Sequence, residues 1–352
     1  MGLFDDALKD SESLFRDELA LDFEYHPKLI KYRENEQFQI ASIIKPLFQK
    51  HNGRNCLIAG SPGIGKTIAT KNVLLEVEQK TTDIIPIYVN CWQKDTPFKI
   101  ILEICNSIGY KYTHNKSTDE LTKEVSRILN KRSAVIVLDE ADKIEDFQIL
   151  YSLLEEIYRK SIILITNNKG FLSTLDQRIA SRLTPEIIEF KPYNKEETHG
   201  ILKQRAEYAF VPNVFSDEAL KLISKKTYEL KDIRTGLFLL KESGNIAEQL
   251  LKRKIDSEHA QRAIDKLPEF KIKSSDSLTD QENKILNLIK ENPNKTTVEL
   301  EDLYPNSTSY KTFLRRLKDL EKKGLLSLKT ENFAEGKKTF VTYGSIKKLE
   351  EF

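Results

Sequence analysis

The residues with the plainest chemical capacity form one run, Gly60-Ser61-Pro62-Gly63-Ile64-Gly65-Lys66-Thr67, which matches GxxxxGK[ST] without departure. Glycines in such a loop let backbone N–H groups point into one cavity, and the helix that follows offers its positive end to phosphates. Lys66 is placed to neutralise β- and γ-phosphates, and the Thr67 hydroxyl to coordinate Mg²⁺. Gly60, Pro62, Gly63, Ile64, Gly65, Lys66, Thr67 and Ile68 are therefore the candidate nucleotide contacts, with ATP or ADP as the ligand. Seventy-three residues beyond Lys66, the apolar run Val135-Ile136-Val137-Leu138 ends in Asp139-Glu140. Two acids at the end of so apolar a strand suit a waiting cation. Asp139 would hold Mg²⁺ through its water shell, and Glu140 would orient and deprotonate an attacking water. The pair together points to hydrolysis of a nucleoside triphosphate.

These residues need a scaffold that brings a loop and a distant strand end together. Asn55–Ala59, Ile84–Asn90, Ala134–Leu138 and Ile162–Thr166 are short, apolar and β-branched. Helical patterns lie between them at about 66–79, 97–108, 118–131 and 146–158, and residues 34–50 carry a further helical stripe whose last turn Pro46 should kink. Apolar strands separated by helices predict a parallel sheet covered on both faces, an α/β domain. After Pro185 the texture changes: four helical patterns and no strand are expected from Asn194 to Lys266, then a polar linker at Lys271–Leu278. Beyond it, helices at about 280–291, 296–303 and 308–323 precede strands Leu325–Lys329 and Thr339–Tyr343 around a turn containing Gly336. Three helices followed by a hairpin is the order of a winged helix-turn-helix.

Composition sets the outer bounds. The chain has 352 residues, 39% hydrophobic and 31% charged, enough for two or three domains. No apolar run approaches the ~20 residues of a membrane helix, and the acidic N-terminus is unlike a signal peptide, so a soluble intracellular protein is expected. Three cysteines without a CxxC pair and five scattered histidines argue against a disulfide framework or a zinc site. Net charge is only +2, yet residues 307–348 hold eleven basic and four acidic side chains, where a polyanion would bind. On the helix over 308–323, Tyr310, Phe313, Leu314, Leu317 and Leu320 cluster on one side at 100° per residue. Thr308, Lys311, Thr312, Arg315 and Lys318 then face outward with Arg316 on the flank, able to meet base edges and phosphates. The wing would add Lys329, Lys337 and Lys338.

On its loop and acidic pair the chain resembles the AAA+ ATPases, and later residues fit that pattern in order. The resemblance implies a sensor-one role for Asn167, with adjacent Asn168 as alternative. It implies an arginine finger at Arg182, with Arg178 as rival, and a sensor-two arginine at Arg234. The single ATPase module, the helical lid, the winged helix, the segment Tyr88-Val89-Asn90-Cys91-Trp92 with Thr96-Pro97-Phe98, and Tyr32-Arg33-Glu34-Asn35-Glu36 narrow it further. Together they resemble the archaeal replication-initiator family related to the eukaryotic origin recognition complex and its helicase-loading relative. The resemblance implies an AAA+ core at 1–190 (1–20 an acidic segment), a helical lid at 191–272 and a winged-helix DNA-binding domain at 273–352. It implies an initiator-specific insertion at about Lys94–Tyr112, with Lys94, Lys99 and Lys111 as phosphate contacts, although the apolar residues there equally describe a buried helix. The expected activity is slow, switch-like ATP hydrolysis controlling binding to origin duplex DNA. The expected partners are a minichromosome-maintenance-type helicase and further subunits on DNA, with no membrane. An ATP-gated transcription regulator and a loader or transposition-helper ATPase are the alternatives.

Overall fold

The computed structural model describes residues 13–23, 25, 27, 30–168, 170–267, 280–292, 295–304, 310–322, 326–333 and 336–343, which fall into two compact units, 1–260 and 261–352. The first unit is built on a five-stranded parallel sheet. Its strands are β1 (Cys56–Ala59), β2 (Ile84–Asn90), β3 (Ser133–Asp139), β4 (Lys160–Thr166) and β5 (Glu186–Glu189), in the spatial order β2-β3-β4-β1-β5. The sheet is doubly wound. Ile87, Val89, Ile136, Leu138, Ile162 and Leu164 point to one face, under α3 (Pro97–Ser107), α4 (Thr118–Leu129), α5 (Gln148–Glu156) and α6 (Gln177–Leu183). The alternate residues Ile58, Val135, Val137, Ile163 and Ile165 meet α1 (Glu34–Phe48) and α2 (Lys66–Lys80) on the other. Burial on both faces is why these strands read as continuous apolar runs.

Four strands and the helices between them lie where the sequence predicts, within a few residues. The fifth strand was not expected. Glu186-Ile187-Ile188-Glu189 pairs with β1 on one side alone, and of its four side chains Ile188 is the buried one. An edge strand with a single inward residue carries too little apolar signal to stand out. Pro46 sits inside α1, and the helix ends two residues later at Phe48.

The helical cap follows, with α7 (Lys195–Ala209), α8 (Asp217–Leu230) and α9 (Ile233–Gln249), then α10 (Ser257–Asp265). Asn194 caps α7 in a reciprocal box with Glu197, Ser216 caps α8 and Asp232 caps α9, so each start is set by a side-chain acceptor on an N-terminal amide. Residues 13–22 lie along this cap. Glu248 accepts hydrogen bonds from the Ser13 hydroxyl and the Leu14 amide, both at 2.8 Å, and Lys241 pairs with Glu18 at 2.8 Å.

The second unit carries α11 (Asp280–Glu291), α12 (Thr297–Asp302) and α13 (Tyr310–Lys322), then antiparallel β6 (Leu326–Phe333) and β7 (Gly336–Tyr343). Thr296 bridges to Phe340, adding a third short edge to the hairpin. Ile285, Ile289, Leu300, Phe313, Leu317, Leu320, Leu326 and Val341 form its own core. This is the winged-helix order. Gly336 pairs with Phe333 as the first residue of β7, the closing pair of the hairpin. The Lys271–Leu278 linker lies outside the described residues. Among the described residues no helix is long and apolar enough to cross a membrane.

Candidate nucleotide site

The sheet order places three strand ends side by side. β4 lies between β1, which leads into the glycine-rich loop, and β3, which ends in the acidic pair. Ligands of open parallel sheets bind at this carboxyl edge. The loop turns through left-handed backbone at Gly63 (φ 73°) and Gly65 (φ 89°), conformations that an L side chain rarely adopts, and α2 starts at Lys66. Lys66 is buried. Its ammonium donates to the carbonyls of Gly60 and Ser61, both at 2.8 Å, and to Asn167 Oδ1 at 2.7 Å. The other end of that amide, Asn167 Nδ2, donates to Glu140 Oε2 at 2.7 Å. One asparagine at the end of β4 thus spans from the loop lysine to the acidic pair. Asn168, the alternative, spends its side chain on the amide of Gly170 in the following turn.

Asp139 is equally well held. Its Oδ2 accepts from the Thr67 hydroxyl at 2.6 Å and from the Tyr88 hydroxyl at 2.7 Å, while its Oδ1 accepts from the Glu140 amide at 2.9 Å. A hydroxyl and a carboxylate in contact are hard oxygen donors of the kind Mg²⁺ takes when phosphates and water complete its shell. The residues therefore fit that ion. Among the described residues no group of three or more His, Cys, Asp or Glu is arranged to hold a metal.

Electrostatics separate the roles. Burial lowers the Lys66 pKa, Glu140 and Asp139 pull it back up, and Arg234 lowers it further. Burial raises the Glu140 pKa, with the Asn167 amide opposing and Asp139 adding to the rise. A carboxylate pushed toward holding a proton, within a polar cleft, has the profile of a general base. Glu140 also occupies left-handed backbone (φ 53°), which turns the chain sharply away after β3.

The cap reaches this site directly. The Ile233 amide donates to the Gly63 carbonyl at 3.2 Å, and a Cβ placed on Gly63 would stand 1.9 Å from Asp232 Oδ1. Arg234 opens α9 there, its amide capped by Asp232 at 2.9 Å. Pro62 is exposed, Gly60 and Ile64 are buried on the loop, and Ile68 is half-buried in the first turn of α2. Arg178 and Arg182 lie on α6 away from the loop. Arg182 is paired with Glu155 and lies 4.9 Å from the Tyr151 ring centroid, while Arg178 is paired with Asp176. Both are exposed.

Two contributors were missed by sequence reasoning, although the segments containing them stood out. Tyr88 lies on β2 opposite Val137 of β3, and only that register puts its hydroxyl on Asp139. Arg33, directly before α1, is 4% exposed and donates to two backbone carbonyls, Ile64 and Lys191. A buried arginine cannot be told from a surface one by type or spacing.

The expected DNA contacts divide. In α13, Arg315 and Lys318 are exposed and Thr312 and Arg316 half-buried, while Phe313, Leu317 and Leu320 face the core. Tyr310, expected inside, is 40% exposed with its hydroxyl 3.0 Å from that of Thr297, and Leu314 is half-buried. Thr308 and the side chains of Lys311, Lys329, Lys337 and Lys338 lie outside the described residues. In the insertion, Lys99 pairs with Asp95 at 2.7 Å and Lys94 with Glu103 at 3.4 Å, while Ile100, Ile101, Ile104 and Cys105 of α3 are buried in the sheet core.

With this geometry in hand the comparisons with known proteins are specific. Residues 49–175 match the family described as AAA domain, and residues 199–265 match the Cdc6 AAA+ ATPase-type lid domain. ORC1-type DNA replication protein 2 of Methanothermobacter thermautotrophicus is 30% identical over 338 residues, 90% of this chain and 88% of that one. ORC1-type DNA replication protein 1 of Sulfurisphaera tokodaii is 36% identical over 263 residues, 71% of this chain and 66% of that one. Among solved structures, the Aeropyrum pernix ORC1 protein in complex with DNA gives a TM-score of 0.79 at 24% identity, over 96% of this chain and 95% of that one. The Aeropyrum pernix ORC2 protein (ADPNP–ADP complexes) gives 0.64 at 21% identity, over 94% of each chain. At these identities the structural likeness speaks for the fold.

Proposed function

Because the chain belongs to the family of ORC1-type DNA replication proteins, an AAA+ ATPase family, we propose that it is an ATP-controlled initiator that binds origin duplex DNA and helps to load a replicative helicase. The observation that carries the switch is the continuous chain of contacts Lys66–Asn167–Glu140 beside Thr67–Asp139, with Asp232 and Ile233 of the cap closed against Gly63.

Lys66 leaves its carbonyl partners for the β- and γ-phosphates, and the loop amides turn to the same anion. Magnesium, when bound, screens the phosphate charge, and Thr67 and Asp139 are the residues that would hold it. Glu140 accepts the proton of the attacking water. Asn167 orients that water and the terminal phosphate from between Lys66 and Glu140. Arg234 contacts the phosphates from the cap, and Arg182 releases Glu155 to stabilise transition-state charge on a neighbouring subunit's nucleotide. Hydrolysis then frees the cap from the loop.

DNA is bound through the winged helix, where Arg315 and Lys318 are exposed on α13, in a three-part chain of ATPase core (1–190), cap (191–272) and winged helix (273–352). The partners of this reading are origin duplex DNA, a minichromosome-maintenance-type helicase and further subunits on DNA, in the cytoplasm at the nucleoid. ATP hydrolysis by the full chain tests the core of it. Glu140→Gln should bind ATP and lose turnover, and equal hydrolysis by variant and wild type refutes the assignment.

A further inference from the structure

Among the described residues, Arg33 is the most heavily engaged buried cation that the proposed reaction leaves unused. It precedes α1, is 4% exposed, and gives its donors to partners that are far apart in sequence. Nε and Nη2 form a fork on one acceptor, the carbonyl of Ile64, at 3.1 and 3.0 Å. Nη2 also donates to the Lys191 carbonyl at 2.6 Å, and Nη1 to Glu36 at 2.7 Å. The guanidinium carbon lies 3.9 Å from the centroid of the Tyr193 ring and 5.1 Å from that of Phe190. So one side chain holds the phosphate loop, through Ile64, and the strand-to-cap junction at 190–193.

The choice of carbonyl matters because a trans peptide unit is planar, with its C=O and N–H opposed. Fixing the Ile64 carbonyl on Arg33 turns the Gly65 N–H the other way. The preceding unit is held likewise, since the Gly63 carbonyl accepts from the Ile233 amide of the cap, which turns the Ile64 N–H away from the cap. Two successive amides of an anion nest are thus aimed by acceptors gripped from behind, one by Arg33 and one by the cap. The residue before Arg33 extends the link. Tyr32 takes left-handed backbone (φ 65°), and its hydroxyl sits against Gly200 of α7, where a Cβ would meet it at 2.2 Å.

We infer that Arg33 is a positioning residue of the ATPase site, which aims the loop amides at the phosphates and ties their occupancy to the cap. This rests on the nucleotide reading given above and adds to it a cause for cap response that does not require Arg234. Arginine suits the task and lysine does not, because the fork, the second carbonyl and the stacked rings require a planar guanidinium.

The test uses the full chain. Equilibrium binding of fluorescent ATP and ADP, steady-state ATPase and amide hydrogen exchange are compared for wild type, Arg33→Gln and Arg33→Lys. Loss of a charge-assisted fork should weaken both nucleotides about tenfold or more in Arg33→Gln, with KM rising more than kcat falls. Arg33→Lys should fall between it and wild type. At saturating nucleotide the wild type should slow exchange in the loop and in α7–α9, and Arg33→Gln in the loop alone. Unchanged affinity with a full cap response in Arg33→Gln overturns the inference, as does failure of both variants to fold without nucleotide, which would make the residue one of folding. Failure of the wild type to bind nucleotide would instead remove the reading beneath it.

Discussion

At the scale of single residues, the site holds two opposite charges that burial disfavours. Burial penalises the ammonium of Lys66 and the carboxylate of Glu140, so each charge is held against its preference. The consequence for Glu140 has a definite sign. A carboxyl whose folded pKa is raised adds stability at acid pH, and that contribution is lost as pH rises through the folded value. At neutral pH its ionised form therefore disfavours the fold. Glu140→Gln removes the charge, keeps an acceptor for Asn167, and should raise the melting temperature of the nucleotide-free protein while turnover falls by about 10² or more. Thermal unfolding at pH 7.5 beside an ATPase assay checks both. Since a base must be deprotonated to act, the acid limb of the kcat/KM–pH profile, which reports the free enzyme, should fall above an ordinary glutamate's range, and a limb at or below that range contradicts the role. Lys66→Ala, by contrast, should abolish nucleotide binding, read by titration with fluorescent ATP.

At the scale of elements, the loop, α9 and α13 carry separate expectations. Gly63→Ala meets two obstacles, a left-handed backbone and Asp232 at 1.9 Å. It should destabilise the first unit by about 2 kcal/mol in urea unfolding, the scale of one strained residue plus a displaced contact. In the second unit, Arg315→Ala with Lys318→Ala should weaken duplex DNA binding across sequences and lower the salt slope by about 2, near one per lost phosphate contact. An unchanged slope would remove α13 from the DNA surface. The elements show how legibility works in this chain. β3 and β4 are buried at every position around uninterrupted apolar runs at 134–138 and 162–165, and the loop before α2 has one chemical meaning. The fifth strand escaped because the sheet edge buries one side chain of four. Arg33 and Tyr88 escaped for a different reason. Their roles come from strand register and from the chain passing behind the loop, which are tertiary facts with no local signature. In the insertion, four residues of the segment read as a buried helix lie in the sheet core, Ile100, Ile101, Ile104 and Cys105.

At the scale of the whole molecule, the proposed acceleration by a neighbour's Arg182 is testable by concentration. Arg182→Ala should leave nucleotide affinity intact and lower turnover only where subunits meet on DNA, so that its defect vanishes at dilution. A defect that persists in dilute protein would mean that the side chain acts within its own chain. The strand order β3-β4-β1 sets a carboxamide between ammonium and carboxylate, 2.7 Å from each. A carboxamide has two unlike ends. Its oxygen suits the cation and its nitrogen suits the anion, so the direction of the side chain is written by its neighbours and cannot reverse. Aspartate at 167 would satisfy the lysine and repel the glutamate, leucine would satisfy neither, and the middle strand therefore tolerates polarity in one sense alone.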